Sequence, residues 1–194
     1  ANHMGRKEEE TIDNKRIKQM RMQYCTLSHT LLYKNPVVVC RKGNMYSKEA
    51  LYTALLEGKT KASSSNSKKK KKAHDHHHAD DSGVVLPEHI KKIKDVRTAT
   101  IEWIDDVDIT KDRHCTFRCP ITRKDLDDGS TSVIMLWPCG CIMAKECITH
   151  QQKGSNHDNS TTTCMNCGAR YDPSKGDVII IAPNDDTRIH HHAT

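Results

Sequence analysis

Two closely spaced cysteine pairs constrain the fold of this chain most strongly. The pairs are Cys139-Gly140-Cys141 and Cys164-Met165-Asn166-Cys167. Structural zinc prefers four thiolate or imidazole ligands in a closed tetrahedron. Short Cys-x-Cys and Cys-x-x-Cys turns point two sulfurs at one ion, and Gly140 and Gly168 allow a tight backbone there. The spacing therefore predicts one structural Zn(II) ion held by Cys139, Cys141, Cys164 and Cys167; the alternative is four buried free thiols.

The remaining cysteines suggest a second site that has lost ligands. In a two-zinc RING pattern, Cys119 and Cys147 lie at ligand positions, but Thr122 and Ala144 occupy the positions that would complete the pairs. We expect Cys119 and Cys147 to be core residues, because a free cysteine behaves as a small apolar side chain. An irregular second metal site is the alternative, with the ligands Cys115, Cys119, Cys147 and His150.

The composition argues against one large core. Of 194 residues, 35% are hydrophobic and only 4% are aromatic, and small apolar cores need additional stabilisation. Two mini-domains, one of them held by metal, fit these values. No apolar run is long enough to span a bilayer, so we expect no membrane partner. The chain has nine cysteines, an odd count, and no apolar leader, so its close cysteine pairs indicate metal binding in an intracellular protein instead of disulfides.

Local patterns divide the chain into six segments. We predict a flexible N-terminal arm at 1–23 and a compact unit at 24–58, followed by a disordered Ser/Lys/His-rich insertion at 59–84. A linker with a short helix and strand follows at 85–114, then a zinc-binding unit at 115–183 and a flexible tail at 184–194.

Several elements can be placed within these segments. Pro36–Cys40, Ser132–Trp137 and Asp177–Ile181 are β-branched or apolar runs typical of strands. Ser47 is placed to cap a helix that Gly58 would end, and Ala144–Thr149 predicts a second short helix. The fold class is therefore α+β.

An unbroken basic run lies inside the insertion. The net charge is +6, and Lys68, Lys69, Lys70, Lys71 and Lys72 are consecutive. Such a run could direct nuclear import or contact nucleic acid. The alternative is a solvated loop without a specific role, because no aromatic residues interleave with the lysines as a base-stacking surface requires.

The compact unit at 24–58 resembles a U-box or degenerate RING. The resemblance rests on Cys25-Thr26-Leu27-Ser28, Asn35-Pro36-Val37 and Gly43–Ala50. A U-box keeps the RING shape through hydrogen bonds and salt bridges instead of zinc. The absence of partner cysteines near Cys25 and Cys40 agrees with a metal-free unit. The fold implied is two small RING/U-box-like ββα units, the second stabilised by zinc.

A set of short motifs is spread over nearly the whole chain: Cys25–Ser28, His89-Ile90, Cys119-Pro120, Cys139-Gly140-Cys141 and Cys164-x-x-Cys167-Gly168. With these motifs the chain resembles the replication termination factor 2 family. The resemblance implies a nuclear protein acting at stalled replication forks and in pre-mRNA splicing, within the replication or splicing machinery. It also implies a single-zinc module like those of SUMO ligases.

Two function classes follow from a RING-like fold. A RING-type ubiquitin or SUMO ligase has no nucleophile of its own and positions a charged conjugating enzyme, which would dock in an apolar groove at Ile121, Trp137 and Met165. Met165 and Gly168 depart from the pattern of active ligases. We therefore favour a non-enzymatic interaction module, with the ligase as the first alternative and nucleic-acid binding through the lysine run as the second.

Overall fold

The computed structural model describes residues 14–64, 86–111, 114–149 and 162–183. Side chains 58–64 are not described. The architecture is mixed α+β, with small sheets and few helices, which confirms the predicted class. In the described part of the chain no helix has the length and apolar character needed to cross a membrane.

The first half of the fold, residues 24–104, is organised around one hairpin and one long helix. Strands β1 (Val37–Cys40) and β2 (Met45–Ser47) pair antiparallel, and α2 (Lys48–Ser64) follows directly. Strand β3 (Val96–Thr98) pairs with the other edge of β1, which gives the order β2-β1-β3. Strand β4 (Glu102–Trp103) comes next and pairs with β5 (Phe117–Arg118) of the second half.

The second half, residues 114–183, repeats this plan. Strands β6 (Val133–Leu136) and β7 (Ile142–Ala144) form the hairpin, and α3 begins at residues 146–149. Strands β8 (Thr162–Thr163) and β9 (Arg170–Tyr171) make a small hairpin, and β10 (Val178–Ile180) closes the sheet in the order β10-β6-β7. The apolar runs predicted for β1, β6 and β10 are confirmed.

The same hydrogen bonds recur in the two halves. The Ser47 N–H donates to Cys25 Sγ at 3.2 Å, and the Ala144 N–H donates to Cys119 Sγ at 3.4 Å. The Cys25 N–H donates to Thr30 O, as the Cys119 N–H donates to Lys124 O, both at 2.8 Å. These bonds relate matching positions in the two halves, at the loop after the first cysteine and at the end of each hairpin.

The halves contact each other through the turns of their hairpins. Gly43, in the β1–β2 turn, accepts a hydrogen bond from the Ala182 N–H at 3.0 Å, and Gly140, in the β6–β7 turn, accepts one from the Thr100 N–H at 2.8 Å. The buried apolar residues form one continuous cluster spanning both halves. The two compact units predicted from composition therefore share one cluster of buried apolar residues, to which both halves contribute.

Residues 14–23 form helix α1, although we expected them in a flexible arm. Met22 is 1% exposed and lies in the core. Gln23 Nε2 donates to Asp127 Oδ2 at 2.8 Å, and Lys18 Nζ donates to Thr131 O at 2.8 Å. The helix packs on the second half, about a hundred residues away in sequence, so local pattern could not reveal its partner. Residues 1–13 lie outside the described residues.

Three further elements differ from expectation. Helix α2 continues through Gly58 to Ser64, so residues 59–64 are helical instead of disordered, since one glycine costs a helix only about 1 kcal/mol. The cap is confirmed, because Ser47 Oγ accepts from the Ala50 N–H at 3.5 Å. Ala144 ends β7 instead of starting a helix. The short helix predicted within the linker at 85–114 is a single 3₁₀ turn at Ile93–Asp95. The rest of the insertion and the 184–194 tail lie outside the described residues.

A methionine pair tests whether α1 is part of the folded core. We expect Met22→Ala to lower the free energy of unfolding by about 2–5 kcal/mol, because it leaves a cavity. The control Met20→Ala lies two residues earlier on a 52% exposed side chain and should change it by less than about 0.5 kcal/mol. The measurement is urea denaturation of the zinc-loaded chain. Equal effects of the two variants would mean that α1 does not pack.

A glycine pair tests the contact between the halves. Gly43 has φ +77, and an added Cβ would lie 1.8 Å from Ile180 O; Gly176 has φ +71 with no atom within 4 Å of an added Cβ. Both alanine variants cost about 1–2 kcal/mol for the left-handed backbone. Gly43→Ala should lose about 1–3 kcal/mol more, because the halves must separate. If Gly43→Ala and Gly176→Ala lowered the melting temperature by the same amount, the result would contradict this packing between the halves.

Candidate metal centre

The structure brings the four predicted cysteines together at the tips of two hairpins. Cys139 and Cys141 lie in the turn between β6 and β7, and Cys164 and Cys167 lie in the turn between β8 and β9. Their four Sγ atoms all lie within 4.8 Å of one another. In a tetrahedral zinc–thiolate centre with Zn–S bonds of about 2.3 Å, sulfurs are about 3.8 Å apart. A contraction of under about 1 Å would therefore close this cluster around one ion.

Backbone hydrogen bonds hold both turns in place. The Gly140 N–H donates to Leu136 O at 2.7 Å, and the Gly168 N–H donates to Cys164 O at 2.8 Å. Both glycines adopt positive φ, +78 and +74, which other residues reach only with strain. The tight turns that the sequence predicted around these cysteines are thus present.

Burial and hydrogen bonding set the chemistry of the sulfurs. Cys141 and Cys164 are buried, Cys139 is half-buried and Cys167 is exposed. Burial raises the pKa of Cys139 to about 11 and also raises the pKa of Cys141, whereas the Ala169 N–H lowers the pKa of Cys167. Buried sulfurs of this kind are thiols at neutral pH unless a cation stabilises the thiolate. Four sulfurs fill a tetrahedron and leave no position for a reactive water, so the donor set suits a structural ion.

Asn166 belongs to this centre, although sequence reasoning did not single it out. Its Nδ2 donates to Cys141 Sγ at 3.5 Å, linking the two cysteine turns. A hydrogen bond donated to sulfur favours the thiolate form. The only available signal was its position between the two cysteines of the Cys-x-x-Cys turn.

The cysteines of the possible second site form a different arrangement. Cys119 Sγ and Cys147 Sγ are 3.7 Å apart, and both side chains are buried in the core. Burial raises the pKa of Cys147 to about 12 and of Cys115 to about 12. Burial opposes the shift at Cys119, but hydrogen bonds donated by the Ala144 and Thr122 N–H groups lower its pKa. His150 lies outside the described residues, so the four-ligand second site stays a prediction.

The three residues of the expected apolar groove have different environments. Met165 is 47% exposed and Ile121 is half-buried. The guanidinium of Arg41 lies 3.9 Å from the Trp137 ring centroid, and that of Arg97 lies 5.8 Å from it. Arg41 Nη1 also donates to Gly176 O at 2.8 Å. Trp137 therefore lies against arginines of the first half, and the groove predicted at Ile121, Trp137 and Met165 did not include these contacts. Lys68–Lys72 lie outside the described residues.

Comparison with known proteins agrees with the metal centre. A family model described as Rtf2 RING-finger matches residues 3–192. The chain belongs to the Rtf2 RING-finger family. Proteins named replication termination factor 2 are similar to it: those of Bos taurus and Homo sapiens are each 27% identical over 187 residues, which is 91% of this chain. The Gallus gallus protein is 25% identical over 174 residues, 84% of the chain.

Membership in the Rtf2 RING-finger family identifies the ion that suits the centre. RING fingers are zinc folds, so the four-cysteine cluster is a site for one Zn(II) by family inference. The chain covers 52%, 51% and 47% of the Bos taurus, Homo sapiens and Gallus gallus proteins. It thus spans about half the length of these relatives.

Cysteine-to-serine variants test the metal content of this Rtf2 chain. We expect one zinc per chain by elemental analysis, lost in Cys164→Ser and kept in Cys147→Ser. Zinc affinity should fall between about pH 8 and pH 6, because binding releases protons from the thiols. Chelator competition measures this. Two zinc ions, one of them lost in Cys147→Ser, would establish the second site; no zinc would contradict the centre.

Proposed function

We propose that the chain is a zinc-stabilised protein-interaction module of a nuclear protein that acts when replication forks stall or terminate, and in pre-mRNA splicing. The closed four-sulfur cluster in an Rtf2 RING-finger chain carries the proposal. Such a site stabilises a surface without offering a reactive position. The name of the relatives, replication termination factor 2, supports the replication role.

The module is composed of two RING/U-box-like units, one metal-free and one holding zinc. What supports this is the repeated hydrogen bonding around Cys25 and Cys119. Cys25 Sγ accepts from the Leu27, Ser28 and Ser47 N–H groups at 3.4, 3.4 and 3.2 Å. These donors satisfy the sulfur without an ion, as a U-box core requires.

A RING-type ligase is the competing function. It would dock a ubiquitin- or SUMO-conjugating enzyme in a groove containing Trp137. The stacking of Arg41 on that ring, at 3.9 Å, favours the interaction module instead, because docking there would have to displace the arginine. Nucleic-acid binding through Lys68–Lys72 stays a prediction. It requires that the affinity for nucleic acid fall steeply between low and physiological salt, and measuring the affinity at both concentrations tests it.

Genomic replacement tests the proposed function. We expect Cys164→Ser to abolish fork pausing at a programmed barrier or to raise intron retention, because the interaction surface loses its metal. The control Lys175→Ala changes an exposed residue of the same half. Two-dimensional gels and RNA sequencing are the measurements, with protein abundance followed in parallel. Normal pausing and splicing with a zinc-free chain at normal abundance would contradict the proposal.

A further inference from the structure

A shallow groove of about 380 Å³ lies on the first half, between the loop after Cys25 and helix α2. Apolar side chains of Leu27, Ala50 and Ala54 contribute to its lining. Ala54 is buried, and Leu27 and Ala50 are half-buried. Glu49 and Glu57 bring carboxylates to the same groove, and both residues are exposed. The groove thus combines an apolar lining with negative charge, in a chain whose net charge is +6.

The internal repeat identifies the matching positions in the second half. Since Thr30 O and Lys124 O accept the equivalent bonds from Cys25 and Cys119, Thr30 corresponds to Lys124. Since Ser47 and Ala144 donate the equivalent bonds to sulfur, Glu49 corresponds to Glu146, two residues further on.

The two halves differ at this matched pair. In the second half Lys124 Nζ lies 3.0 Å from Glu146 Oε1, so an ion pair links the loop to the start of α3. In the first half the lysine is replaced by Thr30, whose hydroxyl bonds Ser28 at 2.8 Å. Among the described residues no cation lies within ion-pair distance of Glu49. The acidic residue at the start of the helix is thus retained, and the part of the chain that the structure describes supplies no ion-pair partner for it.

We propose that this groove docks a segment of a partner protein that presents an apolar side chain to Leu27, Ala50 and Ala54 and a lysine or arginine to Glu49. The inference rests on the proposed function as an interaction module and adds the location and chemistry of one contact. The Glu49 carboxylate selects a basic protein segment and repels the phosphates of nucleic acid. The groove is small, so the contact is of the weak, transient class.

The energetics favour an intermolecular pair at Glu49. An ion pair between exposed side chains contributes little, because water screens it and both side chains lose rotamer freedom. A partner that covers the apolar lining excludes water from the same place, which strengthens the charge contact. The apolar and ionic contacts therefore support each other only when one segment makes both.

Peptide binding to the full zinc-loaded chain tests this groove. The probe is an array of ten-residue peptides, each with one Leu or Phe and one Lys or Arg one to four positions away. Each peptide has a twin in which Glu replaces the basic residue. We expect the basic peptides to bind above their twins. For the best binder, fluorescence anisotropy should show about a tenfold loss of affinity in Glu49→Lys, or about 1.4 kcal/mol.

Two variants make the test specific. Thr30→Lys places in the first half a lysine like that of the Lys124–Glu146 ion pair, so it should weaken binding, but by less than the charge reversal in Glu49→Lys. Glu146→Lys makes the same charge change in the second half and should leave affinity within about twofold. The proposal is overturned if no basic peptide exceeds its twin, or if Glu146→Lys weakens binding as much as Glu49→Lys. If that happens while Cys164→Ser still abolishes fork pausing, the groove is wrong and the proposed function stands.

Discussion

The turn Cys139-Gly140-Cys141 is the constraint on which the rest of the structure depends. Its two cysteines supply half of the metal ligands, and the glycine between them is buried against the other half of the fold. A Cβ at Gly140 would lie 2.1 Å from Thr98 O. The Gly140 carbonyl accepts from the Thr100 N–H, and the Ile142 N–H donates to Thr100 O at 3.1 Å. Metal binding and packing between the halves therefore act on the same turn, and each stabilises the other.

The corresponding contact at Gly43 explains how a chain with few apolar residues can still form a buried core. Gly43 meets Ile180 and Ala182, the residues at the end of the second half's sheet, just as Gly140 meets the residues that follow β3. The turn of each hairpin thus contacts the end of the last strand of the other half's sheet, β10 for Gly43 and β3 for Gly140. The buried residues merge into one cluster, and a larger core buries a greater fraction of its surface than two small ones.

Features set by local geometry could be predicted from the sequence, and features set by distant contacts could not. The metal ligands follow from spacing because each pair must lie on one turn, and β1, β6 and β10 follow from apolar runs. Helix α1 was missed because Gln23, one of its two buried residues, finds its hydrogen-bond partners in the second half, about a hundred residues away. The surroundings of Trp137 were missed for the same reason: Arg41 and Arg97 reach it from the first half, and no local pattern records that.

In the first half hydrogen bonds satisfy the buried sulfur of Cys25, whereas the second half also carries the four-cysteine metal centre, and the metal is the larger source of stability. Cys25 is satisfied by three N–H donors, and hydrogen bonds of this kind contribute about 1 kcal/mol each or less. A structural zinc site contributes about 10–16 kcal/mol in small zinc domains. Hydrogen bonds at Cys25 can maintain the local backbone conformation, but they cannot replace the stabilising free energy of zinc binding. The first half is therefore held indirectly by zinc, through the turn at Gly140 and the shared core, and its groove at Glu49 is presented on a surface that the ion in the other half stabilises.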